Sequence, residues 1–150
     1  MNLPAPPSRA RPVRRLFRRD ESGAALVEFA LVAVLFFFIL YALIVFGMTL
    51  ALKQSVTNAA AEGARSAVGS ADPSATALST VQQRLSWLSA DQRAALTVDR
   101  TVAPCSGGSG QCITVRVSYP YGSKPLVPPA PIVSGITPSV IGSTATVQIS

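Results

Sequence analysis

Histidine is absent from all 150 residues. That excludes histidine proton relays, Ser–His and Cys–His nucleophile pairs, and metal sites built on imidazole. Cysteine is nearly absent too, with only Cys105 and Cys112, and two thiolates alone leave a tetrahedral zinc short of ligands. Beyond Lys53 the acids are Glu62, Asp72, Asp91 and Asp99, scattered and without the paired spacing that acid–base chemistry requires. The Gly/Ser stretch after Cys105 lacks the lysine and helix context of a phosphate cradle. We therefore expect no enzyme, and no catalytic, cofactor-binding or metal-ligating residues.

The most telling absence is of charge between Glu28 and Lys53. Residues 30–52 form an uncharged, mostly apolar run. As a helix rising ~1.5 Å per residue it covers roughly 35 Å, enough for a ~30 Å hydrocarbon core with some tilt. A secretory hydrophobic region is only ~7–15 residues, so the run reads as a retained transmembrane helix. Removal at the small-residue triplet Ala59, Ala60 and Ala61 is the weaker alternative.

What precedes the run is basic. Arg9, Arg11, Arg14, Arg15, Arg18 and Arg19 face only Asp20 and Glu21, so residues 1–23 carry +4 of the chain's net +6. Only Lys53 and Arg65 follow the span closely. The positive-inside rule then places the N-terminus in the cytoplasm and the C-terminal part outside. No aromatic residue interleaves the arginines before Phe17 and no binding fold follows, so the cluster reads as a topology signal and not as a nucleic-acid site. Outside the cytoplasm Cys105 and Cys112, separated by a flexible Gly/Ser loop, are expected to form a disulfide. Closing so short a loop contributes roughly 2.5 kcal/mol in the chain-entropy model.

Periodicity organises the rest. The first dozen residues, rich in Pro, Arg and Ala, have no apolar period and are expected to be disordered. Val56, Ala60, Ala64 and Ala67 continue a small-residue helical face past the membrane, with Gly69 as a stop and Glu62–Arg65 as an exposed pair. Asp72 and Pro73 read as N-cap and first-turn proline of a helix whose stripe is Leu78, Val81, Leu85 and Leu88. From Leu96 the period becomes two. Residues 96–102 and 113–119 read as a hairpin, and 145–149 as a further strand. The prolines between Pro120 and Pro138 mark a long surface connection.

Gly23, closing the charged leader, and Glu28, five residues on and the only charged side chain before Lys53, are where function is expected. The stretch Gly23-Ala-Ala-Leu-Val-Glu-Phe-Ala-Leu-Val32 resembles the TadE-like family of minor pseudopilins, and more distantly type IV pilins and type II secretion pseudopilins. Phe46-Gly47, the Asn58–Arg65 stretch, the Val115-Arg-Val-Ser-Tyr-Pro-Tyr121 strand end and the closing Ser-Thr-Ala-Thr-Val147 extend the likeness. The chain departs from many relatives at Val34, where they carry proline, and at Val45, where they carry an acid.

The resemblance implies cleavage between Gly23 and Ala24 by a membrane prepilin peptidase, with the glycine presented in extended form. It also implies pairing of the Glu28 carboxylate with the amine of a neighbouring subunit. The expected partners are that peptidase, other pilins or pseudopilins, the Tad secretion machinery and the lipid bilayer, in the bacterial cytoplasmic membrane. The expected fold is α+β and pilin-like: a leader (1–23), a transmembrane helix (24–53), its extension (54–69), and an extracytoplasmic domain (70–150) with a short helix and a three- to four-stranded antiparallel sheet. The competing reading is an unprocessed single-pass protein whose external domain binds a ligand or partner.

Overall fold

The computed structural model describes residues 21–128 and 137–149. The leader's arginines, Pro129 and Pro131 lie outside the described residues. The first element, α1, runs from Glu21 to Ser66 as one α-helix of 46 residues. The apolar run supplies no proline or capping residue to interrupt it. It ends through turns at residues 67–69, where Gly69 takes a φ of +71° that favours glycine.

The chain divides into two compact units, Met1–Phe38 and Ile39–Ser150. The described part of the first is bare helix with its apolar side chains outward, Leu26, Phe29, Leu31 and Phe37 among them. Only 6% of the most apolar stretch of α1 is buried, whereas the core helix of a soluble protein would be mostly covered. Burying one Leu or Phe is worth about 1.5–3 kcal/mol, so this surface calls for lipid or protein around it.

The second unit holds the core. The helix contributes a face of Val45, Thr49, Leu52, Val56, Ala59, Ala60 and Ala64, at the threes and fours of an amphipathic helix, with Ala67 buried in the turn that follows. The expected small-residue face is thus present, and it begins earlier than residue 54, inside the segment assigned to the membrane from sequence. Gly63 belongs to it. A Cβ there would stand 2.7 Å from Val81 Cγ2 and 3.2 Å from the Ala77 carbonyl oxygen.

That close approach is made by α2, Pro73–Arg84, whose N-cap Asp72 accepts from the Ala75 amide at 2.9 Å. Its buried residues are Ala77 and Val81, with Leu85 and Leu88 buried in the turns that follow. The expected Leu78 is only half-buried, because the contact with Gly63 selects the small Ala77 for the inner face. A further short helix, α3, spans Ala90–Ala94 and was not anticipated. Its reciprocal Ser89–Gln92 capping box is the signal that marks it.

The sheet is three-stranded and antiparallel, in the order β1 (Thr97–Pro104), β2 (Gln111–Tyr119), β3 (Ile141–Gln148). The last strand thus pairs with β2, with Val115 opposite both Arg100 and Ala145. Ile113, Val115, Val117 and Tyr119 of β2 are buried in one alternating row. Thr114 and Arg116 turn to the polar face, where they meet Thr146 and Thr144 of β3. Cys105 and Cys112 are joined by a disulfide across the hairpin end, with Cα atoms 5.0 Å apart.

After Tyr119 the chain turns back along α1. The Tyr119 hydroxyl donates to the Lys124 carbonyl at 2.6 Å, and the Tyr121 hydroxyl lies 2.9 Å from Thr49 Oγ1. Burial pushes the Tyr119 phenol pKa up, with a further contribution from Tyr121. Lower on the helix the Tyr41 hydroxyl donates to the Pro128 carbonyl.

Candidate functional site

Gly23 and Ala24 are both helical, near the point where the described part of α1 begins.

The surroundings of Gly23 differ sharply from those of Gly63. A Cβ at position 23 would meet nothing within 4 Å. Glycine in a helix costs about 1 kcal/mol relative to alanine, and here no close approach or positive φ offsets that cost. Among the described residues, nothing in the fold requires glycine at 23.

Glu28 is exposed, one helical turn above Ala24 and flanked by exposed Val27 and Phe29. Among the described residues no cation pairs with it, and the two ion pairs found both use Glu62, to Arg65 and to Arg84. Four residues of helix separate Ala24 from Glu28, about 6 Å along the axis.

This stretch, from the glycine onward, is what known proteins share with the chain. Residues 23–65 match the TadE-like protein family. The match opens on Gly23 and ends at Arg65, one residue before α1 does. It thus covers the helix, with its acid at Glu28 and its small-residue face, and none of the sheet. No curated protein and no solved structure matches the chain. The TadE-like family points to involvement in Tad pilus assembly, and its apolar helix is compatible with a single-pass membrane protein.

The matched helix carries Gly23, Ala24 and Glu28 on one element, and Cys105 and Cys112 sit together at the end of the hairpin. Among the described residues no cluster of His, Cys, Asp or Glu has the make-up of a metal site. The groove between α2 and β1, lined by Leu78, Gln82, Arg93 and Leu96, holds no carboxylate. Sequence reasoning missed Tyr41, Thr49 and Tyr121, which tie the segment after β2 to α1. The uncommon Tyr-Pro-Tyr at 119–121 was the available signal.

Proposed function

We propose that the chain is a minor pseudopilin of a Tad/Flp-type pilus or related secretion apparatus, acting in pilus assembly from the bacterial cytoplasmic membrane. A prepilin peptidase cuts between Gly23 and Ala24, and removes the arginine-rich leader on the cytoplasmic side. The helix stays in the bilayer and the α+β domain stands outside, consistent with the disulfide. The observation that carries this reading is that the TadE-like match begins at a glycine for which the fold has no use.

Glu28 then has a definite role. A carboxylate held in the bilayer costs about 2.5–3.5 kcal/mol on insertion scales, and a partner of opposite sign offsets that cost. The amine freed at Ala24 of a neighbouring pilin or pseudopilin is such a partner. Binding of the subunit to its neighbours and to the secretion machinery is thereby coupled to processing, because the amine exists only after the cut.

Gly23→Leu tests the cut. Expressed in the native host, the variant is expected to insert normally and to retain its leader, read as the slower-migrating band on a gel of membrane fractions. Normal loss of the leader in Gly23→Leu would contradict the assigned bond.

A further inference from the structure

The segment that follows β2 meets α1 at two heights, Tyr121 at Thr49 and Pro128 at Tyr41. Residues 121–128 are turns and bends, not helix or strand. Among the described residues no helical or sheet ladder takes up the backbone of Leu126 and Val127, and Pro125 and Pro128 carry no N–H at all. Irregular backbone exposed to lipid is not tolerated in the hydrocarbon region, where each unsatisfied polar group costs several kcal/mol. This loop sets a limit to the hydrocarbon near the level of Tyr41, and Leu43, Ile44, Phe46 and Leu50, exposed beyond it, then face the headgroup layer or another protein.

Helix length gives the same boundary independently. From Glu21, the last charged leader residue, to Tyr41 there are twenty steps of α1, or about 30 Å. That equals the thickness of a typical hydrocarbon core. Tyrosine is also a side chain that favours the membrane–water interface. Lys53, the next charge, lies twelve steps further on, about 18 Å above that boundary.

We propose that the outer edge of the hydrocarbon lies at Tyr41, and that the 125–128 loop rests there in the headgroup layer as a lipid-contacting seat for the domain. Leu126 and Val127 are half-buried, Pro128 is exposed, and 119–128 holds no acid. Lys124 supplies the one charge of that segment, a cation suited to phosphate headgroups. In the uncleaved chain the span becomes residues 21–41, shorter than the 24–53 segment inferred from hydropathy. Glu28 then falls within the span.

The inference rests on α1 spanning a bilayer, as in the function proposed above, but not on the pilus role. Depth-dependent fluorescence quenching tests it. The full chain with Trp87→Phe is placed in phosphatidylcholine vesicles with one new tryptophan, at Val127→Trp or Tyr41→Trp. The lipids carry a quencher either at the headgroup or near the chain ends. A third variant, Ser106→Trp, reports from the hairpin loop at the other end of β2.

Tryptophan at 127 and at 41 is expected to be quenched several-fold more by the headgroup probe than by the chain-end probe, and tryptophan at 106 by neither. Stronger quenching at 41 or 127 by the chain-end probe would overturn the boundary, as would quenching at 127 no greater than at 106. Tyr41→Trp reports the same depth from the helix side if Val127→Trp fails to fold. Failure of the chain to float with vesicles would instead remove the membrane reading itself.

Discussion

Gly63 and Gly47 occupy the same helix and differ in what surrounds them. At Gly63 a Cβ would press on Val81 Cγ2 at 2.7 Å and on the backbone oxygen of Ala77, whereas at Gly47 it would meet nothing within 4 Å. Overpacking of a closed contact costs about 1–3 kcal/mol, against a helix-propensity gain of about 1 kcal/mol for Gly→Ala. Gly63→Ala is expected to lower stability by up to roughly 2 kcal/mol net, and Gly47→Ala to hold or raise it. Thermal melts of the two variants in detergent check this, and equal melting temperatures would refute the assigned contact.

Tyr119 carries a pH dependence of known sign. Its phenol is held above the ordinary value by burial and by Tyr121, so the folded chain keeps the proton at a pH where the unfolded chain has begun to lose it. The stability from this group is intact below about pH 10 and is lost as pH rises above it. Tyr119→Phe is expected to cost about 1 kcal/mol at neutral pH through the lost bond to the Lys124 carbonyl. It is also expected to flatten the alkaline fall in melting temperature. An unchanged alkaline slope would remove Tyr119 as its source.

At the level of elements, periodic segments were legible and packing-determined details were not. The period of two in 113–119 identifies β2 because it is the central strand with one face on the core. Asp72-Pro73 identifies the start of α2 because capping is local chemistry. The spacing of Val81, Leu85 and Leu88 points to Leu78 for the inner face. The structure chooses Ala77 because Gly63 draws the helices together. The short α3 carries no apolar period and no buried residue, and only its capping box betrays it.

The site followed the same division. Gly23 stands out in the sequence because the dense charge of the leader stops there, and Glu28 because no other charge follows before Lys53. That Gly23 is helical and sterically unconstrained required coordinates. Hydropathy could not reveal that one face of residues 45–52 is covered by protein, because apolar residues look alike whether lipid or core surrounds them.

On the scale of the whole molecule, the charged leader, bare helix and disulfide-closed domain assign one environment to each part of the chain. Glu28→Ala removes the proposed pairing without touching a packed contact. It is expected to be inserted and cleaved like the unmodified chain, with piliation and co-purification of neighbouring subunits strongly reduced. Unchanged piliation would exclude the pairing role.

The central claim is that the chain loses only its arginine-rich leader and keeps its helix. Intact-mass and N-terminal peptide mass spectrometry of the protein from membranes of its native host tests this most directly. The account predicts a mature chain that begins at Ala24. A chain still carrying Met1–Gly23, or one that begins beyond Ala61, would contradict it.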